Sequence, residues 1–103
     1  MAEHETSIEI IKEGVSGHFK LAANDLVASA TQSEIVKARG LALFFAIKAG
    51  FSPNEIAAAF GYKSGQNVSS RVRRLENEFI DRGALYNEAM KLASEIGLDH
   101  LLE

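Results

Sequence analysis

Residues 52–75 read SPNEIAAAFGYKSGQNVSSRVRRL, and the fold follows from how this stretch divides. Ser52 can accept the backbone N–H of Glu55 while Glu55 reaches back to Ser52, a capping box with Pro53 at the first helical position. Ile56, Ala57 and Phe60 then fall on one helical face. Gly61 can take the left-handed conformation that ends a helix, because it has no Cβ. Tyr62 to Gln66 is short and polar and reads as a connector. A second helix follows, with Val68, Val72, Leu75 and Phe79 at i, i+4, i+7 and i+11. A short helix, a polar turn and a basic second helix make a helix-turn-helix.

Outward from this pair, the rest of the chain also reads as helix. Ser7 or Thr6 can cap a first helix to about Phe19, with Ile8, Ile11, Val15 and Phe19 as the apolar stripe and Glu9, Lys12 and Glu13 opposite. Gly14 and Gly17 each weaken that helix by roughly 1 kcal/mol relative to alanine, and their presence points to close packing. His18 lies at the helix end and is read as a surface residue. Asn24 or Asp25 caps a short second helix through Leu26 and Val27. After the polar break Thr31–Gln32–Ser33, Ser33 caps a helix from Glu34 to about Ala49. Its second half is apolar nearly all round, so it is expected to be the central buried helix. The helix after the turn runs on to Asp81 or Arg82, and Gly83 breaks it. A last helix spans about Ala84 to Ile96 with Leu85, Ala89, Leu92 and Ile96 on one face, Gly97 ends it, and Leu98, Leu101 and Leu102 form an apolar tail. Only one proline occurs, and no alternating run of strand length. The expected architecture is all-α: one compact bundle of five to six helices over residues 1–103, with 1–5 frayed and 84–103 an added C-terminal helix and tail.

Composition narrows the function. The chain has 103 residues, 47% of them hydrophobic, enough for a single small domain. It has no cysteine, which removes disulfides, thiolate zinc sites and thiol catalysis. His4, His18 and His100 share no metal-ligand spacing, so no metal or cofactor is expected. No histidine and carboxylate accompany a serine at a nucleophile turn, and the chain is read as a non-enzyme. The longest apolar stretch, near Leu41–Ile47, is far below membrane-spanning length. The N-terminus is acidic with no apolar core, so it is not a signal peptide, and a cytoplasmic location is expected.

The formal net charge is −3, but it is unevenly placed. Residues 1–32 carry −3 and residues 76–103 carry −5, whereas residues 33–75 carry +5. The basic residues of that middle segment are Lys37, Arg39, Lys48, Lys63, Arg71, Arg73 and Arg74. An acidic protein can therefore present a local positive patch. Lys37 and Arg39 stand near a helix N-terminus, where the dipole disfavours cations. Either the exposed turn is solvated or a phosphate is met there.

The run IVKARGLALFFAIKAGFSPNEIAAAFGYKSGQNVSSRVRRLENEF resembles the C-terminal DNA-binding domain of the bacterial replication initiator DnaA. Upstream, the Ile11, Val15, Phe19 stripe and the Asp25–Leu26 pair extend the resemblance over roughly residues 8–79. The resemblance implies an all-helical domain with a Trp-repressor-like helix-turn-helix that binds double-stranded DNA in replication or transcription control. No G-x-x-x-x-G-K-[ST] is present, so the initiator's ATP-binding module has no counterpart here. In that family an arginine at the place of Arg39 enters the minor groove, and a basic residue followed by Asp-His-Thr-Thr-Val forms the reading turn. Here the turn is Lys63, Ser64, Gly65, Gln66, Asn67, Val68. The basic residue and the valine are kept and the family's base readers are replaced. The family's basic pair falls at Arg73 and Arg74.

The expected DNA-binding residues are therefore Arg39, Lys63, Ser64, Gln66, Asn67, Ser70, Arg71 and Arg74. Phosphate contacts would come from among Lys63, Arg71, Arg73 and Arg74, not all at once, since Arg71 and Arg74 share a helix face at i, i+3 while Arg73 points about 100° from Arg74; Ser64 at the helix N-terminus could meet another phosphate. Gln66 and Asn67 are competent readers of adenine N6 and N7. Each also has an ordinary alternative: a solvated cation, a cap or a first-turn residue. Arg73 can instead pair with Glu76 or Asn77 along the helix. A second class of function stays open, a protein-interaction module on the same fold. The acidity, the altered turn and a homodimer contact through the last helix and the Leu98–Leu102 tail would serve it.

Overall fold

The computed structural model describes residues 7–22, 25–26, 32–81 and 83–97. Among these residues the protein is all-helical, with α1 (Ile8–His18), α2 (Ser33–Lys48), α3 (Pro53–Phe60), α4 (Gly65–Asp81) and α5 (Gly83–Glu95). The expected all-α bundle is observed. The short helix expected after Asn24 or Asp25 falls mostly outside the described residues, as do Arg82 and the Leu98–Leu102 tail. Asp25 itself accepts the Ala22 N–H at 3.0 Å, and Leu26 is fully buried.

The centre of the bundle is α2. Every residue from Ala38 to Ala46 is buried. A helix that is apolar on all sides must be covered on all sides, and α1, α3 and α4 do this. Phe44 meets Phe45 edge to face at 5.5 Å and Phe79 at 5.1 Å, and Phe79 meets Tyr86 at 5.4 Å. This chain of rings ties α2 through α4 to α5. Each such contact adds about 0.5–1.5 kcal/mol beyond area burial. The helix begins at Ser33, with Gln32 as N-cap making no side-chain cap bond. The expected cap at Ser33 is therefore one residue late. Gly83, expected as a break, is instead the first residue of α5.

α1 starts where Ser7 accepts the Ile10 N–H at 3.1 Å. Its stripe packs as expected, Ile11 and Val15 fully and Ile8 and Phe19 partly. Lys12 departs from the expectation of a solvent-facing residue. It is buried, its Nζ donating to the Ala59 carbonyl at 3.1 Å and lying 5.1 Å from the Phe60 ring centroid. The last carbonyls of a helix have no intrahelical partner and attract a cation, and the C-terminal turn of α3 supplies both. His18 also differs from a plain surface residue. It is half-buried, hydrogen-bonded to Glu95 at 2.7 Å and 3.8 Å from Glu88, and Glu88 in turn holds Lys37 at 2.6 Å. These pairs join α1, α2 and α5.

The two α1 glycines have different reasons to be there. A Cβ on Gly14 would stand 2.5 Å from Ile96 Cγ2 and 3.0 Å from Ile96 Cβ, whereas a Cβ on Gly17 would meet nothing within 4 Å. Gly14 thus lets α1 approach the end of α5, and Gly17 has no such role. Gly14→Ala should destabilise the protein by ~1–2 kcal/mol, overpacking outweighing the gain in helix propensity. Gly17→Ala should stabilise it by roughly 0.5–1 kcal/mol. Urea unfolding of both variants checks the opposite signs.

Candidate nucleic-acid interface

The α3–turn–α4 unit is built as its sequence implies. Ser52 Oγ accepts the Glu55 N–H at 3.2 Å, and Glu55 Oε1 accepts the Ser52 N–H at 2.9 Å. Gly61 closes α3 at φ 82°, ψ 19°, donating to Ala57, whose carbonyl also takes the Tyr62 N–H at 2.9 Å. Ile56, Ala57 and Phe60 are buried in the core. Hydrogen bonds from the Ser52 backbone N–H and then its hydroxyl hold the Glu55 carboxyl below the ordinary glutamate range.

Gly65 fixes the angle between the helices. It is buried, and a Cβ there would lie 2.5 Å from Asn54 Oδ1, 2.9 Å from Asn54 N and 3.0 Å from Pro53 C. The N-terminus of α4 therefore rests on the N-terminus of α3. At the sequence level this glycine reads as room for a backbone to approach DNA. The close approach it makes is to its own helix pair.

On α4 each residue turns about 100° from the last. Val68, Val72 and Leu75 are buried, and the opposite face centres on Ser70. Gln66, Asn67, Ser70, Arg73, Arg74 and Asn77 are all exposed on that side. Lys63 and Ser64 are exposed just before it. Six of the eight expected residues, Lys63, Ser64, Gln66, Asn67, Ser70 and Arg74, thus lie on one accessible surface. No acid occurs from Ser64 through Leu75. Glu76, the first, is turned toward Lys48 of α2 at 3.9 Å. Arg73, read from the sequence either as a phosphate contact or as a partner of Glu76 or Asn77, joins this surface, as does Asn77, which was not expected in it. The signal was present in the 100° spacing: Arg73 and Asn77 are three and seven residues after Ser70.

The other two expected residues are placed elsewhere. Arg71 is half-buried, its guanidinium about 3.6 Å from where a Gly40 Cβ would be, so it lies against α2 and off the exposed face. It stands about 100° from Ser70, on the flank that α2 covers. Arg39 is only 6% exposed, with its guanidinium carbon 5.8 Å from the centroid of the Tyr62 ring. It sits within the fully covered part of α2, where an aromatic face is a suitable partner for a desolvated guanidinium. A minor-groove role would require this side chain to leave Tyr62. Lys37 is spoken for as well, by Glu88 and by the Phe19 ring at 5.7 Å.

Compared with known protein families and with curated proteins, the chain matches none.

Because the folded-state pKa of Glu55 lies below its unfolded value, the capping box is fully stabilising above the ordinary glutamate range. Its contribution is lost as pH falls through the lowered value. Thermal unfolding of the wild type and Glu55→Gln should differ near neutrality, and the gap should close with acidification as Glu55 itself becomes neutral. Gly65→Ala should destabilise by about 1–3 kcal/mol in the same assay, since besides the Asn54 side chain it meets two backbone atoms that cannot move aside.

Proposed function

We propose that this protein binds double-stranded DNA, with α4 in the major groove and Lys63, Arg73 and Arg74 on phosphates. The observation that carries the reading is the exposed face of α4 centred on Ser70, free of acids from Ser64 through Leu75 and mounted on a helix-turn-helix. Such a helix has the width to enter a major groove. Phosphate contacts position the protein while base contacts specify the site. Gln66 and Asn67 at the start of α4 stand where a recognition helix contacts base edges, and each can bond adenine in two places. The resemblance of residues 8–79 to the DnaA C-terminal domain supports the same reading and a role in replication or transcription control. Its altered turn implies a target other than the family's origin repeat. A protein-contact role on the same fold would draw on Ile80, 82% exposed at the far end of α4.

Equilibrium binding to mixed-sequence duplex DNA tests the proposal. Affinity should fall with salt, log K against log salt having a slope of about −0.9 per phosphate contacted. Replacing Lys63, Arg73 and Arg74 together by alanine should weaken binding by roughly tenfold or more, on the order of 1.4 kcal/mol, with unfolding little changed. Arg71→Ala should have the smaller effect on DNA. A chain that binds no duplex at low salt overturns the proposal. Sedimentation of wild type and Ile80→Asp then tests the protein-contact reading, which predicts a dimer that the aspartate dissolves.

A further inference from the structure

Beside the DNA-facing surface lies a groove of about 850 Å³ between the first turns of α2, the middle of α4 and the first turns of α5. Its apolar lining comes from Val36 of α2, Leu75 of α4, and Ala84 and Leu85 of α5. Four charged residues share it: Lys37, Arg71, Glu78 and Glu88. Lys37 and Glu88 neutralise each other at 2.6 Å. Arg71 and Glu78 do not. Both are half-buried, and among the described residues neither side chain makes an ion pair or a hydrogen bond. Among the described residues nothing supplies the opposite charge to this half-buried guanidinium or this half-buried carboxylate, so a ligand that brings both charges would be held there.

The spacing of these two groups describes the missing partner. They are seven residues apart on α4, a rise of about 10 Å, with Leu75 between them on the same flank. They are too far apart along the helix axis to satisfy each other simply, and the surface between them is apolar. We infer that the groove binds a small zwitterion whose carboxylate and amine are separated by an apolar segment. The carboxylate meets Arg71, where a guanidinium can donate two parallel hydrogen bonds. The amine meets Glu78, and the segment between lies over Leu75, Val36 and Leu85. The net charge of the groove lining is zero, which suits a ligand that is itself neutral overall. Such a ligand would clamp α4 to the first turns of α2 and α5. The inference is independent of DNA binding, because neither Arg71 nor Glu78 belongs to the exposed face.

The probe is 8-aminooctanoate, titrated into the isotope-labelled full chain and followed by amide chemical shifts. Octanamide, which keeps the apolar chain and loses both charges, is the comparison. Saturable shifts at Val36, Leu75 and Leu85, with octanamide at least about tenfold weaker, are the expected result. Arg71→Met and Glu78→Gln should each weaken 8-aminooctanoate by about tenfold. Leu85→Trp, which fills the groove and leaves both charges in place, should abolish the shifts. The inference is overturned if 8-aminooctanoate gives no saturable shifts, as it would if the chain itself closed the groove. Equal binding of octanamide also overturns it, as does an affinity that none of the three variants changes.

Discussion

The burial of α2 from Ala38 to Ala46 is the constraint on which the other helices depend. A helix with no solvent face cannot be stabilised by one neighbour. It needs α1 on one side, the α3–α4 pair on another, and the Phe44–Phe79–Tyr86 ring chain to bring in α5. Full burial of side chains such as Phe45, Leu41 and Leu43 is worth about 1.5–3 kcal/mol each. Displacing the helix-turn-helix from α2 would forfeit several of these at once. The unit that carries the candidate interface is therefore also part of the core, and its exposed face is held in place by its buried one.

Enclosure has a consequence for charge. Polar groups caught in or beside the covered stretch must find partners within the protein. Lys12 finds the open carbonyl end of α3, Arg39 finds Tyr62, and Lys37 finds Glu88. Of these, Arg39 and Lys37 belong to the positive segment 33–75, yet Arg39 is buried and Lys37 is neutralised by Glu88. The basic middle of the chain thus contributes fewer cations to solvent than its +5 balance implies. Those that remain on the exposed face of α4, Arg73 and Arg74, are next to each other in sequence and are separated from Arg71 by the direction of their side chains alone.

Close backbone approach is the second recurring device. Gly65 lets α4 rest on Pro53 and Asn54, and Gly14 lets α1 reach Ile96. Both contacts exclude a Cβ, and both fix an interhelix geometry that side-chain packing by itself would leave looser. The turn residues Ser64, Gly65, Gln66 and Asn67 therefore have a structural half and a surface half. Gly65 belongs to the first and its three neighbours to the second.

The five described helices, the central place of α2, the Ser52–Glu55 capping box, the left-handed close at Gly61 and the exposed turn residues are legible in the amino-acid order. These follow from rules that act over one or two turns: apolar period, capping chemistry and the freedom of glycine. Only the tertiary structure decided which cations face water. Whether Arg71 or Arg73 is exposed depends on which flank of α4 lies against α2, and whether Lys12 is buried depends on where α3 ends in space. Neither is encoded in a local window, because a helix of known register still has to be docked before its flanks differ. The groove holding Arg71 and Glu78 belongs to the same class of fact, since its three walls come from helices that meet only in the folded chain.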